Sequence, residues 1–201
     1  ASTLFGVSFS QTLRLGQAET VRMAMDQGRS ELSVQLPTGY GKTLTAASVY
    51  SVLKHNNRVN RLLYVVPTTA QLTQFVQDGA GDLSVAGVSG SLHVTDVGYS
   101  GITAIKNHRN NKSQVYACMI QGLNGKNVND IVNELMKTGR WMVVIDEYHH
   151  YGNDAAWGKR ISELQYVFRL SMSATPYRMK NDSAIGTPDL VIKYNEAVGE
   201  K

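Results

Sequence analysis

Eight consecutive residues, Leu36-Pro37-Thr38-Gly39-Tyr40-Gly41-Lys42-Thr43, combine the types needed to grip an anion. Gly39 and Gly41 allow backbone angles and close approaches that a Cβ would block. Main-chain N–H groups freed there, and the N-terminus of a following helix, then face the anion. Lys42 can reach the β- and γ-phosphates of a nucleotide, and the Thr43 hydroxyl can ligate Mg²⁺. An ordinary glycine-bearing turn with a lysine on it has the same composition. Against the phosphate-loop pattern G-x-x-x-x-G-K-[ST], the first glycine is replaced by Leu36.

A second group lies about a hundred residues downstream, where Trp141-Met142-Val143-Val144-Ile145 runs directly into Asp146-Glu147. An aspartate at the end of an apolar strand can hold Mg²⁺ opposite Thr43. Glu147 is suited to polarise an attacking water. A surface Asp-Glu pair after a strand is the plainer account of the same residues. His149 and His150 follow, but no matching Cys/His pair elsewhere supports a structural zinc site.

These groups need elements to hold them. The phosphate loop follows an apolar run at 32–36 and precedes Leu44 to Leu53, so it reads as strand, turn, helix. Further continuous apolar strands are expected at 61–66, 115–120, 141–145 and 166–172, as in a sheet covered on both faces. Helices are expected at 17–27, 70–77, 128–137 and 155–164, the first ended by Gly28. Thr68 is placed to cap the second of these. Residues 1–16 look irregular, 79–101 carry many Gly and Ser with a short strand at 84–88, and 106–112 reads as a basic loop. Alternating strands and helices predict one α/β domain over 1–201, its sheet mostly parallel and covered by helices on both faces. Ligands bind such sheets beyond the carboxyl ends of the strands. The phosphate loop, Pro67-Thr68-Thr69, Asp146-Glu147 and Ser173-Ala174-Thr175 all follow strand ends, which puts them along one edge.

The totals agree with a globular chain: 201 residues, 42% apolar and 18% charged. A net charge of +4 mildly favours an anionic partner. One cysteine, Cys118, excludes an internal disulfide and suits a reducing, cytoplasmic compartment. No apolar run approaches a membrane span.

Taken together, Gln17, the phosphate loop, Pro67-Thr68, Asp146-Glu147-Tyr148-His149 and Ser173-Ala174-Thr175 resemble the ordered motifs of the first RecA-like domain of superfamily-two helicases, in their DExH form. Leu13-Arg14-Leu15-Gly16-Gln17, Ser173-Ala174-Thr175-Pro176-Tyr177-Arg178 and Tyr194-Asn195-Glu196-Ala197-Val198 are similar to the branch containing type I and type III restriction-enzyme motor subunits and related DNA translocases. The resemblance covers about residues 13 to 198. It implies a RecA-like P-loop NTPase fold, ATP and Mg²⁺ as ligands, and DNA rather than RNA as partner.

By the same resemblance, Gln17 reads the adenine edge, although a polar residue at a helix start accounts for it equally well. Pro37 to Thr43 hold the phosphates, and Lys42, Asp146, Glu147 and His149 form the catalytic set, with His149 facing a partner domain. Thr43 and Asp146 flank Mg²⁺. Thr68 and Gln121 contact nucleic acid, with Met119 standing where the family often has Thr. Ser173 and Thr175 couple ATP state to grip. Such motors carry a second RecA-like domain with arginine fingers, worth roughly 10³ to 10⁵ in rate. The 201 residues leave no room for it, so a fragment of a longer motor that hydrolyses ATP poorly alone is expected. The rivals are the translocating subunit of a restriction endonuclease and a non-catalytic nucleic-acid-binding module. A small-molecule kinase is disfavoured by Asp-Glu-x-His and Ser-Ala-Thr.

Overall fold

The computed structural model describes residues 2–147, 155–174, 188–193 and 199. Tyr148, His149, His150, Thr175 to Arg178 and Tyr194 to Val198 lie outside the described residues.

The chain opens with a hairpin, β1 (Ser2–Leu4) and β2 (Val7–Phe9), paired antiparallel from Ser2↔Phe9 to Leu4↔Val7. Phe5 and Gly6 make the turn with φ of +48° and +86°. Positive φ at both turn residues matches the twist of a two-residue hairpin. Val7 and Phe9 bury themselves against the main body. So the first residues are not irregular, as their polarity suggested.

There follow α1 (Leu15–Ala24), β3 (Glu31–Gln35), α2 (Lys42–His55), β4 (Arg61–Val66), α3 (Thr69–Val85), β5 (Val94–Asp96), α4 (Val97–Ser100), α5 (Ile102–Arg109), β6 (Val115–Met119), α6 (Ile120–Asn124), α7 (Lys126–Leu135), β7 (Trp141–Asp146), α8 (Ala155–Ser162), β8 (Phe168–Ser173) and β9 (Leu190–Val191). The strands β3 to β9 form one seven-stranded sheet in the order β5-β6-β4-β7-β8-β3-β9. All of its pairings are parallel.

The central strands are buried on both faces, which explains their unbroken apolar sequences. Side chains alternate across the sheet. Leu62, Tyr64 and Val66 join the core under α1, α2 and α3. Leu63 and Val65 join Tyr116, Trp141, Val143 and Ile145 in the core on the opposite face, which takes Ala104 from α5 and Val132 and Leu135 from α7. This two-layered cover and the parallel order make the fold α/β and RecA-like.

Three expectations need correction. The helix foreseen at 70–77 runs on to Val85, so no strand forms at 84–88; the edge strand is Val94–Asp96 instead. Gly79 and Gly81 disguised the helix, since glycine costs about 1 kcal/mol there relative to alanine. Gly79 is there for packing: a Cβ would lie 2.8 Å from Phe75 and 3.2 Å from Val94 of β5. The basic stretch at 106–112 is half helix, because Ala104 and His108, one turn apart, are both buried. Finally, α1 begins at Leu15 and ends at Ala24, before Gly28.

Candidate nucleotide site

The register fixes which residues share an edge. Gln35 pairs with Ser173, Asp146 with Met172, Val65 with Ile145 and Val66 with Met119. The loop after β3, Thr68 after β4, Gln121 after β6, Glu147 after β7 and Ser173 in β8 therefore all lie at the carboxyl edge of the sheet.

The phosphate loop is held from three sides. Its first peptide is pinned to the neighbouring strand, the Leu36 N–H donating to the Ser173 carbonyl at 2.9 Å. Gly39 and Gly41 adopt φ of +81° and +93°, left-handed angles that favour glycine. Between them Tyr40 turns inward and is only 1% exposed. The Gly16 N–H donates to its hydroxyl at 2.8 Å, and the Arg14 guanidinium lies 4.9 Å from its ring centre. From the third side comes Gln17, also buried. Its Nε2 donates to the Tyr40 and Gly41 carbonyls at 3.3 and 3.2 Å, while Oε1 accepts from the Arg14 N–H at 2.9 Å. A Cβ on Gly41 would sit 2.9 Å from that Nε2. Gln17 thus braces the loop and also caps the N-terminus of α1.

Lys42 opens α2 and meets both acidic residues that end β7. Its Nζ lies 3.2 Å from Asp146 Oδ1 and pairs directly with Glu147 Oε1. Asp146 and Glu147 are both buried, and buried carboxylates need such partners. The Tyr64 hydroxyl donates to Asp146 Oδ2 at 3.5 Å, and the Tyr64 ring stacks on Phe75 with centroids 4.1 Å apart. Glu147 has φ of +55°. A non-glycine residue in this region costs of order 1–3 kcal/mol, and such positions cluster at functional sites.

Lys42, Thr43 and Asp146 line one cavity of about 450 Å³, together with Thr38, Gly39 and Gly41. Its far wall is α3, through Gln71, Gln74, Asp78 and Asp82. Burial, and then the charge of Asp78, push the Asp82 carboxyl above its usual range. Sequence reasoning missed this wall and Tyr64, and it placed Tyr40 in the phosphate loop without its inward turn. A lone tyrosine inside the aliphatic run of β4 was the available signal, since a buried phenol needs a polar partner.

The donors fit Mg²⁺ chemistry. Thr43 and Asp146 offer hard oxygens, and Mg²⁺ is bound by one or two carboxylates plus substrate phosphates, without a complete protein cage. Among the described residues no group of three or more His, Cys, Asp or Glu could form such a cage.

Thr68 is an exposed cap whose hydroxyl accepts from the Gln71 N–H at 3.2 Å. Gln121 is exposed on α6, and Met119 at its cap receives the Thr69 hydroxyl on Sδ at 3.3 Å. Ser173 is buried beside the loop. His149 and Thr175 lie outside the described residues.

A family model described as "Type III restriction enzyme, res subunit" matches residues 10–178. An uncharacterised protein of Mycobacterium leprae (strain TN) is 29% identical over 163 residues, covering 79% of this chain and 24% of that protein. Among solved structures, the Sulfolobus solfataricus SWI2/SNF2 ATPase core in complex with dsDNA superposes with a TM-score of 0.63 at 20% identity, over 86% of this chain and 34% of that one. The UvsW helicase of bacteriophage T4 gives 0.59 at 21%, over 91% and 60%. The type ISP restriction-modification enzyme LlaGI gives 0.66 at 18%, over 94% and 20%. At these identities the structural matches show the fold alone. The chain spans about a quarter of the curated relative's length.

Proposed function

The chain belongs to the type III restriction enzyme res-subunit family, and from that premise we propose that it is the ATP-binding domain of a DExH-type, DNA-directed ATPase. The observation that carries this reading is Lys42, which lines one cavity and pairs with both Asp146 and, 105 residues away in sequence, Glu147.

In the proposed mechanism the loop N–H groups from Gly39 to Thr43 receive the phosphates. Lys42 exchanges its carboxylate partners for phosphate oxygens. In that exchange Glu147 gives up its ion pair with Lys42, and its carboxylate accepts a proton from the attacking water. Mg²⁺, held by Thr43 and Asp146, would neutralise charge developing on the phosphates. Gln17 and Arg14 set the adenine side, and Ser173 ties the loop to β8. Nucleic acid would cross the same edge near Thr68 and Gln121, held mainly through phosphates and so weakened by salt. Ser173 and Thr175 would couple ATP state to the grip on nucleic acid, and His149 completes the proposed set as a contact to a second RecA-like domain, in the same parent chain or a partner, that supplies the arginine fingers.

Among the described residues no helix is long and apolar enough to cross a membrane. Cys118 is buried, and burial raises its thiol pKa to about 12. A cytoplasmic setting belongs to the same proposal.

Nucleotide binding and nucleic-acid-stimulated turnover of the full-length parent test the reading. Lys42→Ala should lose nucleotide binding. Glu147→Gln should retain binding and lose about 10² to 10⁴ in turnover, the range for a positioned general base. Unchanged turnover in both variants would reject the site. Binding of nucleic acid with no turnover in the unmodified parent would favour the non-catalytic module.

A further inference from the structure

The basic stretch at 106–112 takes no part in the proposed nucleotide site, and it lies at the other end of the sheet. There the last turn of α2, the start of β4 and the turn after α5 enclose a cavity of about 160 Å³. Lys54 and Arg61 both line it, with Ser91, Asn111, Ser113 and Gln114 as neutral polar neighbours and no carboxylate among its lining residues.

Both cations are held by neutral groups. The Lys54 ammonium donates to the Ser89 carbonyl. Arg61 Nε donates to His108 Nδ1 at 2.9 Å, Nη1 to the Asn60 carbonyl at 2.9 Å and Nη2 to Asn111 Oδ1 at 2.7 Å. Among the described residues neither cation makes an ion pair. Burial, and then the positive charge of Arg61, hold the Lys54 amine below its usual range. Two like charges fixed at one cavity destabilise each other, and an anion between them relieves that cost. The wall allows a close approach, because Gly90 has φ of +90° and a Cβ there would lie 2.9 Å from Gln114 Nε2 and 3.5 Å from Lys54 Nζ.

We propose that this cavity, formed by Lys54 and Arg61 with Ser91, Asn111 and Ser113, is a second phosphate-binding site, separate from the nucleotide loop. A phosphate group suits the donor set. Lysine and arginine supply charge-assisted hydrogen bonds, and the Ser91 and Ser113 hydroxyls add donors for the remaining oxygens of a tetrahedral anion, while the Gln114 amide, donating to the Ser89 and Ser91 carbonyls at 2.7 and 2.9 Å, shapes the wall. The cavity has about a third of the volume of the one beside the phosphate loop, so it takes the phosphate group and not a whole nucleotide. That group comes either from a free phosphate or from a nucleic-acid backbone.

Backbone amide NMR of the chain, titrated with potassium phosphate against potassium chloride at matched ionic strength, separates the two phosphate sites. Gly39 and Gly41 report the nucleotide loop, and Gly90 and Ser91 report the second cavity. Saturable phosphate-specific shifts of Gly90 and Ser91 are expected. Lys54→Gln should weaken them about tenfold, the loss expected for one charge-assisted hydrogen bond, while Gly39 and Gly41 respond as before. Asn111→Asp, which keeps an acceptor for Arg61 and adds a negative charge, should weaken them as well, and the spectra show directly that both variants remain folded. Competition by a short oligothymidylate at the same signals would assign the phosphate to a nucleic-acid backbone, and its absence to a free phosphate. Gly90 and Ser91 shifting equally in chloride, or unaltered phosphate affinity in both variants, would overturn the proposal.

Discussion

At the scale of single residues, Tyr40 joins the two halves of the proposed nucleotide pocket. It belongs to the phosphate loop, yet its hydroxyl meets Gly16 and its ring meets Arg14, on the segment proposed to read adenine. Tyr40→Phe removes one buried hydrogen bond and leaves the ring in place. Such a bond is worth about 0.5–1.5 kcal/mol net. Nucleotide affinity measured by titration should therefore fall about two- to tenfold, with little change in fold. The placement of Lys42, Thr43, Asp146 and Glu147 at one sheet edge was legible in sequence because Gly-Lys-Thr and Asp-Glu follow strands, and strand ends fix where side chains emerge. The inward turn of Tyr40 was not, because nothing in local pattern says whether a loop aromatic turns in or out. Gln17 was half legible: its placement was foreseen, but not that its amide would be committed to the Tyr40 and Gly41 carbonyls.

At the scale of elements, His108 fastens α5 to the sheet. It accepts from Arg61 of β4 through Nδ1, so its neutral form carries the proton on Nε2, which lies 2.7 Å from the Thr138 hydroxyl. Burial, then the positive charge of Arg61, hold its pKa below the ordinary 6.5; a hydrogen bond donated to the Thr138 backbone offsets part of this, and Arg109 adds to the lowering. The unfolded chain therefore takes up a proton before the folded one does. Stability from this site is complete above about pH 6.5 and is lost as pH falls through the folded pKa. Urea unfolding at about pH 5 and pH 7.5 should show a loss at the lower pH that shrinks in His108→Gln. This residue also explains why the element was misread. From 106 to 112 the sequence is polar and basic, and it is helical up to Arg109 because of a partner 47 residues away. The five inner strands β3, β4, β6, β7 and β8 were legible to within a residue or two, since burial on both faces writes itself as an unbroken apolar run, whereas the short edge strands β5 and β9 were not. The glycines of α3 and the hairpin at 2–9 depend on contacts with distant residues, which local sequence does not record.

At the scale of the whole molecule, opposite the second phosphate cavity, the described residues of the proposed nucleotide site lie with Thr68 and Gln121 on one sheet edge. A second RecA-like domain placed over that edge would enclose the cavity and bring arginine fingers to the phosphates. Steady-state turnover should rise by roughly 10³ to 10⁵ when such a domain is supplied from the parent protein. A rise of less than about tenfold would reject this division of labour. One peripheral element bears on how such a machine carries load. Among the described residues the strand β9 lies at one edge of the sheet and pairs with β3 at Val34↔Leu190 and Gln35↔Val191. Asp189 is clipped to the Ser33 N–H at 2.8 Å, and Arg29 lies 3.2 Å from the same carboxylate. Next along, Ile192 packs over Gly16, so closely that a Cβ there would lie 2.6 Å from its Cγ1 and 2.7 Å from the Tyr40 hydroxyl. Tension applied beyond Lys193 along the strand would load the backbone bonds of this pair together. Tension across the sheet would peel them one at a time and lift Ile192 off Gly16. This thin edge is therefore a direction-sensitive tether, and its release would loosen the seat of Tyr40 before any strand of the central sheet yields.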